Sequence, residues 1–334
     1  MKKAAFLLSI FLCFFGQLLT VSADSEKAAS ILADMTLEQK ITQMIFPALR
    51  TWGPKDSAVN TVELNDELHE IFTDYSFGGV TLYGANIVNT EQTIALINDI
   101  QKTSLDGGAP AKLLITIDQE GGYVTRLKTG TQMPGNMALG ATGDPENARK
   151  AARVIGKELT AQGISVNFAP VVDVNNNPSN PIIGVRSFSD DPAVIASYAI
   201  PYIEGLHESG IISCLKHFPG HGDTAVDSHT GLPLIDKSLD ELMETELVPY
   251  QAVLPYADMV MTAHIQFPQI ETQKWTSINE GEEIWLPATL SKTILTDLLR
   301  EDLGFQGVIA SDSMEMDAII KYFGLFTKKK LSFC

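Results

Sequence analysis

The sequence predicts an α/β fold of alternating strands and helices, a parallel (β/α)8 barrel, and three observations predict it. Continuously apolar, β-rich runs recur about every 35 to 50 residues, as expected of parallel strands covered on both faces. Helix entry and stop signals lie between them. Ionisable residues gather after the runs and not before them: Asp118 to Gly122, Asp173 to Asn177, Lys216 to Gly222, His264, and Asp312 to Glu315. In a barrel all those strand ends share one rim. A doubly wound sheet would gather its polar groups at one switch point, and no glycine-rich phosphate fingerprint opens the first helix.

Residues 1–23 come first and read as a secretory signal peptide. Lys2 and Lys3 precede an apolar run from Ala4 to Gly16, and Ser22 and Ala23 stand before Asp24. The run falls short of the ~20 residues that span a bilayer, so stable membrane insertion is not expected once the leader is cleaved. Cys13 follows Ile10, Phe11 and Leu12, which lack the small side chains of a lipidation site. No linker or low-complexity tract interrupts residues 24–325, which read as one domain. Its strands are expected at Met44 to Ala48, the weakest member, then Phe77 to Tyr83, Leu113 to Ile117, Ile164 to Val174, Ile211 to Leu215, Met259 to Ala263 and Gly307 to Ala310. Helices are marked by Asp144-Pro145 with a stop at Gly163, and by Asp191-Pro192 with a stop at Gly210 and a kink expected at Pro201. Capping boxes are predicted at Thr36 with Gln39, Asn89 with Gln92, and Ser238 with Glu241.

Composition excludes several classes of function. The 334 residues, 45% hydrophobic and 19% charged, suffice for a large core, which rules out disorder as the main state. A net charge of -17 repels a phosphate backbone, so a nucleic-acid partner is not expected. Three cysteines without paired spacing neither staple the fold nor cage a zinc, and Cys214 reads as a buried apolar thiol. Oligomeric state is not legible.

The densest chemistry is Lys216-His217-Phe218-Pro219-Gly220-His221-Gly222-Asp223-Thr224-Ala225-Val226-Asp227-Ser228-His229. As a metal site it offers His217, His221 and His229 at a spacing that fits no helical or knuckle cage, on a loop that two glycines leave pliant. As an acid/base loop it makes more sense than as a bland one. Asp227, two residues before His229, can accept from one ring nitrogen and leave the other to shuttle a proton. The glycines flanking His221 suggest that this donor rides on a movable flap. Asp312, first ionisable residue after its strand, reads either as a rim nucleophile or, with Glu315 three residues on, as a helix cap.

The runs KHFPGHGDTAVDSH, ITIDQEGGYVTRL and GVIASDSMEM resemble, in this order, glycoside hydrolase family 3, in particular its β-N-acetylglucosaminidase (β-hexosaminidase) branch. The likeness runs from about residue 30 to about residue 325. It implies a TIM-type barrel that hydrolyses terminal β-linked N-acetylglucosamine with retention, without metal or organic cofactor. It implies Asp312 as nucleophile and His229 as acid/base supported by Asp227. A histidine in place of a second carboxylate avoids like-charge repulsion beside the nucleophile, and Asp227 raises its basicity. By the same likeness Asp118, Arg126, Arg186, Lys216 and His217 hold the sugar, with Asp173 and His264 supporting or structural. Peptidoglycan fragments or chitin oligomers are the expected substrates, in a secreted or wall-associated setting.

After residue 325 the resemblance stops. Family members would continue with a helix, an eighth strand and another helix, whereas residues 326–334 form an atypical tail with three consecutive lysines. The expectation is therefore a barrel lacking its eighth strand and final helices. Two further readings stay open: another β-glycosidase or a glycosyl phosphorylase of the family, and an inactive truncated fragment.

Overall fold

The computed structural model describes residues 25–54, 56–229, 231–278 and 281–324. The expected leader, Cys13 and the tail from 326 to 334 lie outside the described residues.

Two compact units divide the described chain. The smaller comprises residues 25–46, 64–79 and 99–113 and is helical. Its helix Leu37–Thr42 starts at the predicted capping box, the Gln39 amide donating to Thr36 Oγ1 (3.1 Å) and the Thr36 amide to Gln39 Oε1 (3.0 Å). Helix Asp66–Asp74 is capped by Asn65 and turns Leu68 and Phe72 inward, where Phe72 meets Phe77 edge-on with centroids 5.8 Å apart.

The larger unit carries a six-stranded sheet: β1 (Gly79–Leu82), β2 (Leu114–Ile117), β3 (Val166–Asn167), β4 (Ile212–Phe218), β5 (Met259–Thr262) and β6 (Val308–Ser311). Spatial order follows chain order from β1 to β6, and β2 through β6 pair in parallel. A doubly wound sheet would reverse direction at a switch point. Sequential order is that of the barrel, and it brings successive strand ends to one side. The apolar runs form strands because both faces are covered: β1, β3 and β5 are buried throughout, and Val166, Phe168, Cys214, Met259 and Met261 pack as one cluster. Each such side chain contributes about 1.5–3 kcal/mol on burial. The Cys214 thiol is free and buried, as expected. Strand β6 is only half covered, with Val308 52% exposed.

Two strand expectations need correction. Met44 to Ala48 does not form a strand; only Ala48 bridges to Thr81, through Thr81 N–H to Pro47 O and Leu49 N–H to Thr81 O. Pro47 has no N–H to extend the ladder. The run Ile164 to Val174 pairs only at Val166–Asn167 and again at Val171, opposite Lys216, with Pro170 between. Two of the predicted helices begin where their caps stand. Asp144 accepts from the Glu146 amide (3.1 Å) before helix Glu146–Ala161, and Asp191 from the Ala193 amide (2.8 Å) at helix Pro192–His207, which runs on through Pro201. The Ser238 box is complete. At Asn89 only half forms: its side chain accepts from the Gln92 amide, while Gln92 Oε1 takes the Val88 amide. No helix among the described residues is long and apolar enough to cross a membrane.

Candidate active site

Strand β4 and the loops after β2 and β3 supply a buried ionic floor. Pairing of β4 with β5 shifts register between Leu215 and Phe218, and the displaced residues are Lys216 and His217. Lys216, 1% exposed, places Nζ 2.7 Å from Asp118 Oδ1 and 2.7 Å from Glu120 Oε1. Arg186, on the turn Gly184–Arg186, forks onto the same Glu120, Nε donating to Oε2 (3.0 Å) and Nη2 to Oε1 (2.7 Å). Two cations thus face two carboxylates. Burial works against ionisation of Glu120, but Lys216 and Arg186 outweigh it and bring its carboxyl down to about 2.

His217 is oriented from below. Buried Asp173 accepts from His217 Nδ1 (2.7 Å) and from the His217 and His221 amides. That leaves His217 Nε2 3.5 Å from Arg186 Nη2. Burial opposes the Asp173 charge, and His217 and His221 overcome it, holding the carboxyl below its usual range.

Asp312 follows β6. Its amide donates to Thr262 O (3.3 Å) and its Oδ1 accepts the Ser313 amide (2.7 Å). Burial disfavours its charge, yet His217, His264, the Ser313 amide and Lys216 together keep it below the ordinary carboxylate value. His264, after β5, is fixed between Thr289 Oγ1 (2.8 Å) and Ser313 O (2.9 Å), and burial lowers its basicity. So Asp312 is an anion at rest, next to imidazole rings rather than carboxylates.

The loop after β4 brings in the dyad. His229 Nδ1 lies 2.8 Å from Asp227 Oδ1, which also accepts the His229 amide (2.8 Å). The imidazole is 61% exposed. Between them Ser228 is buried, and its carbonyl accepts from Ala318 N–H (3.3 Å), six residues past Asp312. His264 lies within electrostatic reach of both Asp312 and His229. The glycines of this loop leave no room for a side chain: one at Gly222 would strike Val174 O at 1.6 Å, and one at Gly220 the Glu246 side chain at 2.8 Å. They permit close packing.

Asp118, Arg186, Lys216 and His217 therefore come together, with Asp312 in the field of two of them. His217, His221 and His229 are engaged separately, on Asp173, on Thr224 and Ser228, and on Asp227. Arg126 is tied through its backbone: its amide donates to Gln119 Oε1 (2.7 Å), and its buried Nε has no partner among the described residues. Glu120 was not singled out from sequence. The available signal was charge balance, since Asp118 alone cannot neutralise two buried cations.

The floor sets an acid limit on stability. Glu120 ionises more readily folded than unfolded, so its contribution is complete above about pH 4.5 and lost as pH falls towards about 2. Burial holds His221 neutral, lowered to about 4, so its contribution fades earlier, between about pH 6.5 and 4. Unfolding free energies from urea titrations at pH 7 to pH 2.5 are expected to fall in both windows, by on the order of 3 kcal/mol in each. A flat profile below pH 4.5 would contradict the Glu120 pairing.

Residues 36–332 match the model of the glycosyl hydrolase family 3 N-terminal domain. The chain is 44% identical over 267 residues to beta-hexosaminidase A of Pseudoalteromonas piscicida, covering 78% of this chain and 44% of that protein. Among solved structures it resembles a family 3 β-N-acetylglucosaminidase from Paenibacillus sp. str. FPU-7, with TM-score 0.78, 41% identity, and coverage of 87% of this chain and 51% of that one. It also resembles NagZ from Neisseria gonorrhoeae in complex with N-trifluoroacetyl-D-glucosamine, with TM-score 0.66, 32% identity, and coverage of 81% and 76%. The chain thus spans about half the length of the first two. The six-stranded sheet with its helices is a partial α/β barrel of the type found in that N-terminal domain.

Proposed function

Because this chain belongs to glycosyl hydrolase family 3 through that N-terminal domain, we propose that it hydrolyses terminal β-linked N-acetylglucosamine by a retaining double displacement. The observation that carries the reading is the pairing of a pre-ionised Asp312 with a separate Asp227–His229 dyad whose backbone is tied to the helix after Asp312. In this reading an Asp312 oxygen attacks the anomeric carbon, forming a C–O bond as the glycosidic oxygen leaves. His229 Nε2 donates the proton that the leaving oxygen takes. Asp227, holding Nδ1–H, stabilises the imidazolium and fixes the ring. Water then enters, its oxygen bonds to the anomeric carbon as His229 Nε2 accepts its proton, and the Asp312–sugar bond breaks to return the carboxylate. The floor groups Asp118, Lys216, Arg186 and His217 fasten sugar hydroxyls, since charged donors and acceptors outcompete water there. Arg126 Nε joins them as a donor still to be satisfied.

The choice of sugar rests on the names of the relatives. Release of 4-nitrophenol from the N-acetyl-β-glucosaminide is expected to exceed that from the β-glucoside by at least about 100-fold, since a polar site rejects a substrate lacking its hydrogen-bonding group. Equal rates would overturn the N-acetyl assignment. Peptidoglycan fragments or chitin oligomers fit this sugar, and the pattern of residues 1–23 supports export. Sequencing the N-terminus of protein from the culture fluid should give Asp24; a chain retained in cells with Met1 intact would refute export.

His229→Ala is expected to lower kcat on a methylumbelliferyl substrate by about 10²- to 10⁴-fold while leaving the inhibition constant of free N-acetylglucosamine unchanged. Equal loss of binding would make His229 a structural residue.

A further inference from the structure

Ser228 belongs to no catalytic role assigned above, yet it is 2% exposed at the centre of the loop that carries both members of the dyad. Its hydroxyl lies 3.2 Å from His221 Nε2, and its carbonyl accepts from Ala318 N–H. His221 is itself held on every side. Its amide donates to Asp173 (2.7 Å), its Nδ1 faces Thr224 Oγ1 (3.0 Å), and its carbonyl accepts from Asn180 Nδ2 (2.7 Å). Asn180 also reaches Gly222 O and Thr224 Oγ1, so one amide fastens three points of the same loop. Thr224 Oγ1 lies within reach of both Nδ1 and the His221 carbonyl (3.2 Å), and Ser228 Oγ is the partner of Nε2. The two ends of Ser228 are thereby tied to different segments: the hydroxyl to the start of the loop after β4, the carbonyl to the first turn of helix Asp317–Phe323, which follows Asp312.

We infer that His221 and Ser228 form a positioning pair that holds the Asp227–His229 dyad in register with Asp312. The inference rests on the acid/base reading of His229. Asp227 and His229 flank Ser228 directly, so a shift at Ser228 displaces the imidazole without touching the ionic floor. A bound sugar still meets Asp118, Lys216 and Arg186 in place, but proton delivery to the leaving oxygen is misaligned. Displacements near 1 Å cost up to about 100-fold in rate. His221 is a positioning residue in this scheme and exchanges no proton with substrate.

The test uses the 334-residue chain with aryl N-acetylglucosaminides of graded leaving-group acidity, from 2,4-dinitrophenol to methylumbelliferone. Ser228→Ala is expected to lower kcat/KM roughly 10- to 100-fold for methylumbelliferone. For 2,4-dinitrophenol, which departs without protonation, the loss should be under about threefold in the step that releases it. His221→Gln should behave alike, and the double variant should lose no more than the worse single one, the signature of one shared interaction. The N-acetylglucosamine inhibition constant and the melting temperature of Ser228→Ala accompany these rates, so that general destabilisation is visible. Losses equal across all leaving groups, or additive losses in the double variant, would overturn the positioning role. A wild-type chain that cleaves none of these substrates would instead overturn the glycosidase reading, and the two failures are distinct.

Discussion

Asp312→Ala is expected to abolish turnover, lowering kcat/KM on any aryl N-acetylglucosaminide by at least about four orders of magnitude. The reason lies in what the fold provides for this one carboxylate. It stands at the end of β6, its Oδ1 takes the Ser313 amide, and His217, His264 and Lys216 offset the cost of burying its charge. A group kept ionised at such expense is ready to attack without waiting for a proton to leave. Replacing it removes the atom that forms the covalent bond, so substrate binding on the floor persists while chemistry stops. The same change removes a half-buried anion that has no salt bridge among the described residues, so the fold itself should change little. Wild-type rates in Asp312→Ala would refute the assignment, and a matching loss of sugar binding would point to a holding role instead.

Glu120→Ala is the change expected to damage the fold most. Glu120 is the shared anion of Lys216 and Arg186, and all three are nearly shielded from solvent. Without it, Arg186 keeps only a 3.3 Å contact to Ile182 O and the neighbourhood of His217, and Lys216 keeps Asp118. Breaking a buried pair on one side costs about 3–5 kcal/mol, because the remaining charge is stranded. Urea denaturation at pH 7 measures this directly. Glu120→Gln retains the shape and a carbonyl acceptor, so it should lose less at pH 7 and also shrink the stability change between about pH 4.5 and 2, leaving the share of Asp173 and Asp312. Equal midpoints for wild type and Glu120→Ala would show that the floor is not held by this carboxylate.

Much of the fold was legible because parallel strands covered on both faces have no choice but to be apolar throughout. Phe77 to Tyr83, Leu113 to Ile117 and Met259 to Ala263 contain strands for that reason, and Ile211 to Leu215 holds the first part of β4, which runs on through Lys216 and His217 to Phe218. Met44 to Ala48 carried the same apolar signal, but Pro47 denies the ladder a donor and leaves a single bridge. Strand β6 carried it too, and there the chain's own half-exposed edge shows that composition reports what a strand could bury, not what covers it.

The candidate site was legible where chemistry and position coincide. Lys216 and His217 follow an apolar run, and the shifted register places them on the floor beside Asp118. Glu120 was hidden in Gln119-Glu120-Gly121-Gly122, a stretch whose glycines suggest a turn and whose glutamate suggests solvent. Only the spatial meeting of Arg186 with Lys216, 30 positions apart, requires a second anion there. Ser228 was hidden for another reason. Between an acid and a histidine a serine looks like filler, and its importance comes from two long-range partners, His221 and Ala318, that local pattern does not reveal. The glycines of the loop also give clearance for Val174 and Glu246, a requirement that local pattern does not show.

The covalent intermediate gives the most direct test of the whole account. A 5-fluoro-β-N-acetylglucosaminyl fluoride slows release of the sugar from a retaining enzyme, so the labelled peptide can be found by mass spectrometry after proteolysis. The account predicts one stoichiometric adduct, on the peptide that contains Ser311-Asp312-Ser313, fragmenting to Asp312 and absent from Asp312→Asn. An adduct on Asp118 or Glu120, or active turnover to the α-anomer with no adduct at all, would contradict it.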